Sequence, residues 1–169
     1  MADRLILAPT YHEHLDAPLI FLAGPITGAP DWQAAAYDII HTRSPDLYVA
    51  NPRRPIDVGS KDFSKDMYAE QVDWESHHLA IAGKTGVILF WYALEVNHNC
   101  RRPYSQTTRQ EFGEWVNEHK HAGTKIVVGI EPEHPAQKYI TYRLPKECPE
   151  IPIFSELEAT CVEAIRLCI

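Results

Sequence analysis

The chain lacks what several large classes of protein require. No apolar run approaches the roughly 20 residues that span a bilayer, so a membrane partner is not expected. Basic residues are in deficit: 16 Lys and Arg stand against 23 Asp and Glu, a net charge of −7. Binding a nucleic-acid polymer needs a basic face, so that partner is set aside. One small anionic ligand remains compatible, because a few arginines and a helix N-terminus suffice for it. The four cysteines, Cys100, Cys148, Cys161 and Cys168, show no CxxC spacing. Reduced thiols and a cytoplasmic location are the expectation. Asp3, Arg4, His12, Glu13, His14 and Asp16 interrupt any signal-peptide pattern. The chain has no GxGxxG, Walker lysine, GxSxG or HExxH. His77-His78, His119 with His121, and His98 with Cys100 lack zinc-finger spacing. No metal and no organic cofactor is expected.

What is present is an alternation of strand and helix signals. No repeat or linker divides the 169 residues, so a single domain over 1–169 is expected, with 1–17 an arm or an edge strand. Residues 18–23 form an apolar run that reads as a buried strand. Asp31 is placed to cap a helix carrying Trp32, Ala35, Ala36, Ile39 and Ile40. Further strands are predicted at 47–50, 86–92, 125–130 and 151–154. Helices are predicted over about 66–82, from the segment around Glu111, and briefly near 136–142. Ser155-Glu156-Leu157-Glu158 reads as a capping box opening a last helix. The predicted fold is α/β, a flavodoxin-like three-layer sandwich with a five-stranded, mainly parallel sheet.

Three segments place chemistry where such a sheet gathers its ligands, at the carboxyl ends of its strands. The first is the loop Gly24-Pro25-Ile26-Thr27-Gly28, which can offer backbone N–H groups and a hydroxyl. It reads equally well as a plain turn. The second is the 66–82 helix, whose apolar stripe is read as Tyr68, Val72, Leu79 and Ala82, with Glu75 in the missing place. Burial there raises a carboxyl's pKa and suits a general acid. At the stripe's edge it would instead reach water or a lysine. Gln71 shares Glu75's flank, and Asp73 lies about 200° from Glu75 around the helix. The third is Thr107-Thr108-Arg109-Gln110-Glu111-Phe112-Gly113. Thr108-x-x-Glu111 has the form of a capping box. Glu111 is then either a cap or an ionised carboxylate held by the electropositive helix N-terminus, as a nucleophile requires. Gly113 would let a ligand approach closely. Arg53, Arg54, Arg101, Arg102 and Arg109 cluster near the same loops, either to grip a phosphate or to offset nearby acids.

These motifs together resemble the nucleoside 2-deoxyribosyltransferase-like superfamily, which holds the nucleoside deoxyribosyltransferases and the nucleoside 5'-monophosphate N-glycosidases. The similarity covers residues 18–168. It rests on Phe-Leu-Ala-Gly-Pro at the first strand, Gln-x-x-Trp-Glu-x-x-x-Leu-x-x-Ala on the helix, a strand ending in Phe-Trp, and Thr-x-x-Glu-x-Gly. The resemblance implies Glu111 as nucleophile and Glu75 as the acid. It implies Ser105, six residues before the nucleophile, as a sugar or phosphate contact, and Gly24, Pro25 and Thr27 as lining for base and sugar. Gln71, Asp73, Thr108 and Gly113 complete the expected substrate contacts. The implied reaction is cleavage or transfer of an N-glycosidic bond in a small nucleoside or nucleotide, by a homodimer or higher homo-oligomer. A non-catalytic nucleotide-binding or sensing domain is the alternative from another class. The chain departs from the pattern in having Glu rather than Asp as the acid, Ala82-Gly83 before the third strand, and a long 93–106 loop.

Overall fold

A computed structural model describes residues 4–12, 14–56 and 60–169. In chain order the elements are β1 (Leu5–Leu7), β2 (Leu19–Ala23), α1 (Trp32–Arg43), β3 (Tyr48–Asn51), α2 (Lys65–Thr85), β4 (Val87–Tyr92), α3 (Gln106–Ala122), β5 (Ile126–Ile130), α4 (Gln137–Glu147), β6 (Ile153–Phe154) and α5 (Leu157–Cys168). The sheet has six strands rather than the five predicted, in the order β1-β3-β2-β4-β5-β6. Every neighbouring pair is parallel. The added strand is the edge-strand option for the first residues. Leu5, Ile6 and Leu7 pair with Val49, Ala50 and Asn51. Three residues are too few to show a period of two, which is why the sequence pattern left the choice between arm and strand open.

Without β1, the remaining five strands follow the flavodoxin-like order 2-1-3-4-5, with the switch point between β2 and β4. Successive strand residues feed opposite faces. Leu19, Phe21, Ala23, Ile88, Phe90 and Tyr92 pack on the side of Trp74, Leu79 and Ala82 of α2, Val116 of α3, and Ile140 and Leu144 of α4. Ile20, Leu22, Val87, Leu89 and Trp91 pack on the side of Trp32, Ala36 and Ile40 of α1, and Cys161, Ala164 and Ile165 of α5. This is the three-layer arrangement.

Helix starts test the capping expectations. The Asp31 side chain accepts from the Ala34 N–H at 3.1 Å, as expected. Ser64 does the same for Met67, also at 3.1 Å. The predicted box at Ser155 does not form. The α5 N-cap is Glu156, without a side-chain bond, and Glu158 pairs with Arg43 instead. α4 is longer than the predicted short helix, because Ile140 and Leu144 are both buried and Pro145 falls in the last turn. All four cysteines are free thiols. No helix among the described residues is long and apolar enough to cross a membrane.

Candidate active site

A cleft opens at the carboxyl ends of the strands, beside the switch point. It is lined by Phe21 and Ala23 of β2, the following Gly24, Pro25, Ile26 and Thr27, and Pro52 after β3. Tyr68, Gln71, Val72 and Glu75 of α2 form one wall, and Arg102 with Ser105 to Thr108 and Glu111 the other. Its volume is about 90 Å³. Eight of the ten expected site residues therefore meet in one place: Gly24, Pro25, Thr27, Gln71, Glu75, Ser105, Thr108 and Glu111. Asp73 and Gly113 do not line it, and both are exposed. A Cβ built on Gly113 would meet nothing within 4 Å, so no close approach explains that glycine.

The loop after β2 is held by packing. A Cβ on Gly24 would lie 2.4 Å from the Trp91 carbonyl oxygen and 2.5 Å from the Trp32 ring. The Trp32 indole N–H also donates to the Pro25 carbonyl at 2.9 Å. Gly28 has φ +84°, and its carbonyl accepts from Val96 at 2.8 Å and Asn97 at 3.1 Å. That ties the first loop to the loop following β4. Gly24→Ala is expected to destabilise the protein by about 1–3 kcal/mol, as overpacking does. The midpoint of urea unfolding measures this, and an unchanged midpoint would show that Trp32 yields freely.

The cluster of arginines divides by role. The Arg53 guanidinium is spent on the fold, donating to Gln33 Oε1 at 3.0 Å and to the Pro30 carbonyl at 2.9 Å. It also pairs with Asp31 at 3.2 Å, so it is not a phosphate grip. Arg54 donates to Gln71 Oε1, and to Glu70 at 2.8 Å. Its Nη2 is buried with no partner among the described residues. Gln71 Nε2 in turn donates to the Pro52 carbonyl and to Glu75 Oε1, each at 2.8 Å. Arg54, Gln71 and Glu75 thus form one chain into the cleft. Arg102 lines the cleft and is exposed, whereas Arg101 and Arg109 are exposed and do not line it.

The α2 stripe differs from the one read from sequence. Tyr68 and Val72 are 56% and 42% exposed, at the cleft wall, while Gln71, Trp74, His78, Leu79 and Ala82 are buried. Buried Gln71 has the bonds just given, and His78 Nδ1 lies 2.8 Å from the Trp74 carbonyl. Gln71, so satisfied, enters a core that a count of apolar residues does not assign to it, whereas His78 keeps its Nε2 buried without a partner among the described residues.

The start of α3 also differs. The helix begins at Gln106, so Thr108 is buried inside its first turn and Glu111 stands in its second. The predicted capping box at Thr108 does not form. The Tyr104 hydroxyl donates to the Ala93 carbonyl at 2.8 Å, anchoring the chain just ahead of this early start. Ser105 takes the N-cap position in the left-handed region, at φ 56° and ψ 28°, and makes no side-chain cap bond. Its hydroxyl is buried without a partner among the described residues. A non-glycine residue in that conformation is sparsely populated, and such strain gathers at ligand sites.

The two carboxyl groups face one desolvated space. Burial raises the Glu75 pKa, opposed by the Gln71 hydrogen bond and the Arg54 charge. Glu111 is pushed up to about 8, by burial first, then by the charges of Glu75 and Glu114. The expectation of an ionised Glu111 is therefore corrected for the free protein. The helix N-terminus favours charge chiefly within its first turn, and Glu111 lies beyond it. Both carboxyl groups are thus harder to ionise than an ordinary glutamate, and Glu111 also feels the charge of Glu75.

The sequence profile of a family described as "Nucleoside 2-deoxyribosyltransferase like" matches residues 17–122. That stretch contains every cleft residue named above and more than half of the chain. Comparison with curated proteins gives no match.

Proposed function

The chain belongs to the nucleoside 2-deoxyribosyltransferase-like family, and from that premise we propose that it cleaves or transfers the N-glycosidic bond of a nucleoside or nucleotide through a covalent glycosyl–Glu111 intermediate. The observation that carries this reading is the pairing of Glu75 and Glu111 in one cleft at the switch point. Two carboxyl groups holding one proton supply a nucleophile and an acid, as in retaining glycosidases. Glu111 first passes its proton to Glu75, aided by hydroxyl donors of the bound sugar. A Glu111 oxygen then bonds to the anomeric carbon while the C–N bond breaks, and its electron pair goes to the base nitrogen. Glu75 delivers the proton to the departing base. An acceptor, another base or water, attacks the same carbon. The ester bond then breaks, the electron pair returns to Glu111, and the acceptor's proton goes to Glu75. Free base released from deoxynucleosides, ribonucleosides and their monophosphates, with and without an acceptor base, tests the reading. No release from any of them would leave a binding or sensing domain.

A specific observation favours a 5'-monophosphate as substrate. The N-terminus of α3 has no side-chain cap, and its first residues line the cleft. Beside them stand the unpartnered Ser105 hydroxyl and Arg102. Open helix N–H groups, a hydroxyl and a guanidinium together suit a phosphate. The monophosphate is expected to exceed its nucleoside in kcat/KM by about tenfold or more, the scale of one charge-assisted hydrogen bond. Salt and Arg102→Ala should both narrow the gap. Equal or faster turnover of the nucleoside would remove the phosphate and leave glycosyl transfer in place.

A further inference from the structure

At the opposite pole of the sheet, where α3 ends and β5 begins, side chains from separate segments converge. His119 stands in the last turn of α3, Cys148 is the C-cap of α4, and Glu150 follows two residues later. A ring nitrogen of His119, the Cys148 sulfur and a Glu150 oxygen all lie within 4.8 Å of one another. Linear spacing gave no hint of this, because the three residues come together only through the packing of α4 beside α3.

The histidine is oriented by its surroundings. Its Nδ1 lies 2.7 Å from the Thr124 carbonyl oxygen, which can only accept, so Nδ1 carries a proton. Nε2 then points at Glu150 Oε1, 2.6 Å away. At that distance the contact is a hydrogen bond, and a metal ion would take the place of its proton. A bare ion pair accounts for His119 and Glu150, while the Cys148 sulfur, buried at the edge of the core, lies within 4.8 Å of both donors. A backbone carbonyl on the far ring nitrogen is the support that metal-bound histidines characteristically have.

We infer that His119, Cys148 and Glu150 form a binding site for a thiolate-accepting divalent cation, with Zn²⁺ the best match. A set of one nitrogen, one sulfur and one oxygen suits zinc, whereas calcium and magnesium take oxygen ligands. Bonds of about 2.3 Å to sulfur and 2.0–2.1 Å to nitrogen require the His119–Glu150 pair, 2.6 Å apart, to open around the ion. Glu150, with a side chain 59% exposed, is free to do so. Water would fill a fourth position. The ion would clamp the end of α3 to the end of α4, away from the cleft that the same α3 lines.

The test is a cobalt(II) and zinc(II) titration of the full chain after chelator treatment. One equivalent of Co²⁺ per chain should bind, with a near-ultraviolet cobalt–thiolate band that Zn²⁺ abolishes. Cys100→Ser, which removes the exposed thiol, should keep the band, and Cys148→Ser should lose it. His119→Gln and Glu150→Gln should each weaken zinc binding at least tenfold while circular dichroism stays unchanged. These two variants decide the matter should Cys148→Ser fail to fold. Zinc should also raise the Tm of the wild type and not of His119→Gln. Absence of the thiolate band in the wild type, its loss in Cys100→Ser, or unchanged zinc affinity in both His119→Gln and Glu150→Gln would overturn the site and leave an ion pair.

Discussion

Glu111→Gln is expected to lose base release by several orders of magnitude while making the folded protein more stable near pH 8. The loss follows from removing a covalent nucleophile, which an amide cannot replace. The gain follows from the environment of the carboxyl group. Its pKa stands at about 8 in the folded chain against an ordinary 4.5. Between those values the folded state holds a proton that the unfolded state has released. Stability therefore falls as pH rises through the window, and the full penalty is present above about pH 8. Glutamine does not titrate, so the variant escapes it. The stability difference between variant and wild type should widen from pH 5 to pH 8, reaching a few kcal/mol at most, since about 1.4 kcal/mol accompanies each tenfold change in proton affinity. Urea unfolding across that range measures it. A variant that keeps more than a tenth of wild-type turnover would remove Glu111 as nucleophile. A difference that stays flat with pH would show that the carboxyl group is not held in a desolvated, like-charged site.

Much of this arrangement was legible in the order of residues, and the failures have identifiable causes. Apolar runs separated by helical periods locate β2, β3, β4 and β5, because strands buried on both faces read as continuous hydrophobic stretches. Gly24 and Glu111 are found because the carboxyl ends of parallel strands gather on one edge, Glu75 from the stripe of a helix face, and Ser105 only through the family resemblance. Two errors came from local rules being outbid by tertiary contacts. Thr108-x-x-Glu111 has the form of a cap, yet the helix already starts at Gln106, so the threonine is inside it. On α2, hydrophobicity alone selects Tyr68 and Val72 for the core. The cleft leaves those two exposed, and hydrogen bonds bring Gln71 and His78 inside. Glu75 lines the cleft even though half of the stripe that suggested its place is exposed. Arg54 and its link to Gln71 had no sequence signal beyond a cluster of like charges. The raised pKa was legible only for Glu75, since a carboxyl group's burial can be guessed from a helix face but its neighbour's charge cannot.

Glu75→Gln should separate the two roles within the pair. Loss of the acid should cost about 10² to 10⁴-fold on natural bases, whose leaving nitrogen needs a proton. With an activated leaving group that departs as a stable anion, the loss should be far smaller. The same change removes a negative neighbour that holds Glu111 up. Glu111 should then ionise at lower pH, and with no proton left for the pair to lose, the decline above about pH 8 should disappear for the activated substrate. In the wild type, activity should be bell-shaped and decline above about pH 8 as the pair loses its shared proton. Asp73→Asn is the control, because Asp73 is exposed and outside the cleft lining. It should leave both substrates and the profile nearly unchanged. Equal losses for natural and activated substrates in Glu75→Gln would show that Glu75 protonates nothing in the reaction. A selective loss in Asp73→Asn would transfer the acid role two residues back along α2, to a side chain that reaches the base only if substrate binding rotates that helix.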